Sequence, residues 1–66
     1  SIRDKILGYF NILAKNRVKR SFYLPFSYTE LADYLSVDRS AMMREIKNLR
    51  DEGFIKTNNR KVTLNY

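Results

Sequence analysis

Ile2, Ile6, Phe10 and Leu13 recur at the i, i+4, i+8, i+11 spacing that lines one face of a helix. Ser1 and Asp4 ahead of that stripe have the spacing of a capping box, with Asp in place of the usual Glu. A first helix is therefore expected over residues 2–16. The period then breaks. Phe22, Tyr23 and Leu24 favour a short strand, and Pro25 stops it or confines it to a sheet edge. Ser27 and Glu30 form a second capping-box pair. The short helix behind them turns Leu31, Ala32 and Leu35 inward and closes at Ser36-Val37-Asp38. Asp38 is a suitable N-cap for a third helix over residues 39–52, and Gly53 suits the position just past its end. Residues 54–57 and 60–64 read as strands on either side of Asn58-Asn59, because Asn accepts the positive φ of a tight hairpin turn.

The order is helix, strand, helix, helix, hairpin: a mainly α fold with a small antiparallel sheet. Two helices joined by a tight turn and followed by a two-stranded hairpin describe a winged helix-turn-helix. The strand before the second helix would complete a three-stranded sheet, which matters because an isolated hairpin is marginal. With 66 residues the chain forms one domain. It begins at Ser1 within the first helical pattern, so it is expected to be a domain cut from a longer protein.

The third helix divides cleanly. With Met42 at the centre of the buried stripe, Ile46 and Leu49 fall within about 40° of it. Ser40, Arg44 and Lys47 lie opposite, with Arg39 and Met43 on the shoulder. Arg39 and Ser40 also occupy the first turn, where unpaired backbone N–H groups favour an anion. The major groove of DNA admits one such helix, and Arg suits bidentate contact with guanine. Arg39 and Arg44 are accordingly candidate base readers. Ser40 can bond to a base or a phosphate, and Met43 can touch a thymine methyl. Lys47 suits a phosphate contact, while Arg50 could pair with Glu45 or Asp51.

Charge strengthens this picture. Lys and Arg number 13 against 7 Asp and Glu, a net charge of +6. A basic surface suits nucleic acid or an anionic membrane. The excess gathers at Lys15, Arg17, Lys19 and Arg20, on the third helix, and at Lys56, Arg60 and Lys61 beside the hairpin turn. Three such pieces on one duplex would neutralise roughly five phosphates, with log K falling by about 0.9 per contact for each tenfold rise in salt. Ser27 and Thr29 are candidate uncharged phosphate contacts at the start of the second helix. Asn58, Asn59, Arg60 and Lys61 are the hairpin's candidates.

Other chemistry is poorly provided for. The chain has neither Cys nor His, so it lacks thiolates, disulfides, the commonest metal ligand and the usual general base. No run is long and apolar enough to span a bilayer. Glu30 and Asp38 are better used as caps than as catalytic acids, and no cofactor is expected. The competing reading is a winged helix that docks on another protein, since a fold does not dictate a function. That reading requires an exposed apolar patch on the third helix or the hairpin, where the candidates are Met43 and Tyr66.

The stretch LPFSYTELADYLSVDRSAMMREIKNLRDEGFI resembles the C-terminal DNA-binding domain of the Crp/Fnr family of bacterial transcription regulators, the relatives of the cyclic-AMP receptor protein. Glu30, Leu31, Ala32, Leu35, Val37, Arg39, Arg44, Leu49, Gly53 and Ile55 keep the family's spacing without a gap, and the likeness covers nearly the whole chain. The resemblance implies sequence-specific binding to a duplex operator, with Arg39 and Arg44 at the family's two recognition-helix arginines. It also implies a homodimer in the intact protein, a cytoplasmic, nucleoid-associated location and RNA polymerase as a candidate second partner. The family's effector domain and dimerisation helix lie upstream of this domain, so the effector is not readable here and the domain alone should bind weakly, as a monomer or a loose dimer. Three positions depart from the family pattern. Ser40 replaces a glutamate that many relatives use to read cytosine. Ser36 replaces the usual turn glycine, at a cost if φ is positive. Glu45 stands at an apolar position and should sit at the rim of the core.

Overall fold

A computed structural model describes all residues, 1–66. The elements are α1 (Ile2–Ala14), a single 3-10 turn (Val18–Arg20), β1 (Ser21–Tyr23), α2 (Tyr28–Leu35), α3 (Arg39–Asp51), β2 (Ile55–Asn58) and β3 (Lys61–Leu64). The three strands form one antiparallel sheet in the order β1-β3-β2. This is the winged arrangement that the element order predicts, including the third strand.

Local chemistry sets most boundaries. At the head of α2 the capping box closes fully: the Glu30 N–H donates to Ser27 Oγ at 3.2 Å and the Ser27 N–H to Glu30 Oε1 at 2.9 Å. At the head of α1 only half of the box forms. Ser1 Oγ accepts from the Asp4 N–H at 3.2 Å, but the Asp4 carboxylate stays 3.8 Å from the Ser1 nitrogen. Asp is one methylene shorter than the Glu that completes such a box. Asp38 caps α3, accepting from the Ala41 N–H at 2.9 Å.

The two helix ends that flank the functional helices share one motif. After α2, the Ser36 N–H bonds to the Asp33 carbonyl and the Val37 N–H to that of Ala32; after α3, Gly53 bonds to Arg50 and Phe54 to Leu49. Both are Schellman closures, which need a left-handed residue. Gly53 supplies it at φ +82° and Ser36 at φ +58°. The expected strain at Ser36 is therefore present.

Several boundaries move: β1 covers Ser21–Tyr23 rather than 22–24, α3 ends at Asp51 rather than Glu52, and three larger changes have a local cause. The first helix stops at Ala14 rather than Asn16, because Lys15 turns extended and Asn16 takes φ +65°. Phe54 leaves the strand, since its N–H completes the α3 closure. The hairpin turn is Asn59-Arg60 rather than Asn58-Asn59, with Asn58 opposite Lys61 and Asn59 at φ +54°. The observed register pairs Ile55 with Leu64 and Thr57 with Val62, which gives both apolar residues of β3 a neighbour on the core face. The one-residue shift would leave Leu64 opposite the turn at Gly53.

The core is wholly apolar: no polar or charged residue is buried. Ile6, Phe10 and Ala14 of α1 meet Met42, Ile46 and Leu49 of α3, with Leu31 and Ala32 of α2 and Phe22, Leu24, Ile55, Val62 and Leu64 of the sheet closing around them. Ile2, Leu13 and Leu35, expected inward, are half-buried at its margin. Burying one large side chain of this kind contributes about 1.5–3 kcal/mol. That burial, along the whole length of α3, holds the helix in place and leaves the opposite face free.

Candidate nucleic-acid interface

Met42, Ile46 and Leu49 are at most 1% exposed, as the helical wheel requires. Arg39, Ser40, Arg44 and Lys47 are exposed, and Met43 is half-buried between the two sets. Arg39 and Arg44 take part in none of the chain's four ion pairs. Their guanidinium groups are thus free, and the hairpin does not cover them. Lys47 donates to Asp51 at 2.8 Å, but both side chains are largely exposed. Such an i, i+4 surface pair is worth little, and a phosphate can displace it.

The rest of α3 is committed on each flank. Glu45, Asn48 and Glu52 lie within about 60° of one another on the wheel and face α1. There Arg3 binds the Glu45 carboxylate and forks onto Glu52 at 2.9 and 2.6 Å. The bonds to Glu52 and Glu45 push the Arg3 guanidinium pKa up, and Arg3 holds the Glu52 carboxyl below the usual range. Glu45 sits at the rim of the core, as expected. On the other flank Arg50 does not pair with Glu45 or Asp51. Those carboxylates are already taken by Arg3 and Lys47, and Arg50 instead donates to Thr57 Oγ1 of β2 at 3.1 Å. Arg39, Met43, Lys47 and Arg50 share a sector of about 80°, so the cationic side of α3 is the side that adjoins the hairpin.

The hairpin's candidates are less alike than their sequence suggests. Asn58, Asn59, Arg60 and Lys61 are all exposed. Lys61 Nζ makes no hydrogen bond and lies 6.0 Å from the Tyr23 ring centroid. Arg60 is turned inward, with Nε and Nη2 donating to the Leu24 carbonyl at 3.2 and 2.9 Å. The Asn59 carbonyl accepts from the Tyr28 hydroxyl at 2.8 Å. At the head of α2, Thr29 is exposed, and Ser27 is half-buried with its oxygen engaged in the capping box. Glu30 is held below the usual carboxyl pKa by the bond from the Ser27 backbone.

The basic run 15–20 does not join this surface. Ser21 pairs with Thr63 and Tyr23 with Lys61, so the residues before β1 lie at the end of the sheet away from the hairpin turn. Arg20 lies there 5.3 Å over the Tyr66 ring and donates to Asn11 at 3.1 Å. The expectation of three basic pieces side by side reduces to two, α3 and the hairpin.

Residues 5–65 match the family of the Crp-like helix-turn-helix domain. The chain belongs to that family. No curated protein sequence matches it. Membership of the Crp-like family makes the chain a DNA-binding domain of a transcription regulator, with DNA as its partner and no enzymatic activity. No helix is long and apolar enough to cross a membrane. Sequence reasoning passed over Arg3, Tyr28 and the outcome at Arg50. Their partners lie 42, 31 and 7 residues away, and no local spacing signals the first two.

Proposed function

We propose that this Crp-like domain binds duplex DNA sequence-specifically, with α3 in the major groove and the hairpin as a wing on the phosphate backbone. Arg39, Ser40, Met43 and Arg44 face the base edges. Ser27, Thr29, Lys47, Asn58, Asn59 and Lys61 meet phosphates, with the Arg60 charge behind them. The observation that carries this reading is the pair of free guanidinium groups, Arg39 and Arg44, on an exposed face backed by a buried apolar stripe. Ser40 offers no carboxylate acceptor, so the operator differs from one read through a glutamate at that position.

One domain reads one half-site. Helix-turn-helix dimers set two recognition helices about one turn of DNA apart, so the working form is a homodimeric regulator of which this is the DNA-binding domain. It acts in the cytoplasm on the nucleoid, with RNA polymerase as a further contact. Selection of bound sites from a random DNA library tests the reading. A defined half-site whose base preference relaxes at one position in Arg44→Ala supports it. Equal binding of every sequence by both proteins overturns it.

The protein-docking alternative has less to stand on. Met43 is half-buried, and Tyr66 and Phe54, though exposed, sit edge-on to each other with the Tyr66 hydroxyl bonded to Asn11.

A further inference from the structure

The wing tip has no core of its own. Residues 58–61 are all exposed, and the buried side chains that flank the turn in sequence are Ile55 and Val62. A two-residue turn with nothing packed beneath it samples many positions, and each phosphate contact it makes then costs the entropy of ordering it. Here the turn is tied down by polar bonds instead. Leu24 and Arg60 clasp each other: the Leu24 N–H donates to the Arg60 carbonyl at 2.8 Å, and the Arg60 guanidinium donates twice to the Leu24 carbonyl. Tyr28 holds the neighbouring residue through the Asn59 carbonyl. Both anchors are rigid. Leu24 is 1% exposed, and Tyr28 is the first residue of α2, whose end the capping box closes. The Tyr28 phenol is protonated at neutral pH like any tyrosine, and burial pushes its pKa further up.

We propose that Tyr28 and Arg60 are positioning residues of the wing, holding the Asn59-Arg60 turn against the 24–28 segment so that Lys61 and Asn58 are set for the DNA backbone. This inference rests on the wing-docking reading above. It makes Arg60 first a brace: Nε and Nη2 each donate to the Leu24 carbonyl and fix the guanidinium in place, whereas the Lys61 ammonium has no hydrogen-bond partner.

Charge and geometry separate in Arg60→Lys, which keeps the cation and loses the fork. Tyr28→Phe keeps the ring and loses the bond. Both variants, Lys61→Ala and the double variant Tyr28→Phe/Lys61→Ala are titrated with a mixed-sequence DNA duplex across a range of salt. Amide signals of residues 58–61 are recorded in the free proteins. Tyr28→Phe and Arg60→Lys should each weaken binding about two- to tenfold, the factor one hydrogen bond is worth. They should lower the salt slope toward that of Lys61→Ala and shift the wing-tip amides before any DNA is added. Tyr28→Phe should add little on top of Lys61→Ala. A merely stabilising role would leave the slope unchanged. Wild-type affinity and slope in Tyr28→Phe and Arg60→Lys, beside a weakened Lys61→Ala, overturn the positioning role and leave wing docking intact. A silent Lys61→Ala overturns wing docking and the positioning role together.

Discussion

The outer face of α3 and the tip of the wing carry similar side chains but are held in place by different means. Beneath α3, Met42, Ile46 and Leu49 are packed against α1 and the sheet, so the helix is positioned by burial. Arg39 and Arg44 have no structural duty and keep their full donor sets for a ligand. The wing tip is too small to bury anything. Its geometry comes from hydrogen bonds made by Tyr28 and Arg60, and two of the five N–H donors of the Arg60 guanidinium go into making them. A surface positioned by apolar packing can offer all its polar groups outward. A surface positioned by polar bonds must divide them between holding itself and holding a partner.

The widest gap between the two regions should show in Met42→Ala. Removing a fully buried Met side chain from under α3 should cost about 2–5 kcal/mol of stability, read in a denaturant melt. No substitution at the exposed positions 58–61 should approach that, and a melt unchanged by Met42→Ala would end the claim that packing sets α3. Arg44→Ala comes next: about 1–3 kcal/mol of binding lost at one base position, with the melt unmoved. Ser36→Gly acts on the turn that delivers α3. A residue with a Cβ pays for φ +58°, so glycine there should raise stability by roughly 0.5–1 kcal/mol and leave base preference alone. Lys61→Ala should leave base preference and stability in place and lower the salt slope by about 0.9.

The smallest effect concerns acid. Glu30 is an exposed carboxylate whose pKa is lowered by the bond from the Ser27 backbone. Its contribution is present above the unfolded carboxyl pKa and is lost as pH falls through the lower folded value. Melts of wild type and Glu30→Gln should therefore differ at neutral pH, and the difference should shrink in acid below the usual carboxyl range. A difference that persists undiminished there would mean that the box draws nothing from the Glu30 charge.

Much of this is legible in the sequence. The capping pair Ser27–Glu30, the Asp38 cap, the Gly53 stop and the three-residue core stripe of α3 are all local, because each depends on residues within about two turns of chain. The same short range makes the candidate readers Arg39 and Arg44 visible, whereas the strained turn at Ser36 is legible only through the family resemblance. The hairpin was readable as a hairpin, but its turn was misplaced by one residue, since Asn58 and Asn59 are equally able to take positive φ and only the demand of Leu64 for a partner in Ile55 separates the two registers.

By itself, then, the order of residues along the chain determined the elements, the buried side of α3 and the family. Tertiary structure alone decided what each surface cation does. Arg39 and Arg44 stay free, Arg3 turns to Glu45 and Glu52, Arg50 to Thr57, and Arg60 to Leu24. The physical reason is reach. Capping and helical periodicity act between neighbours in sequence, whereas a long flexible cation binds whichever acceptor the fold brings close, and most of those acceptors stand 36 to 49 residues away.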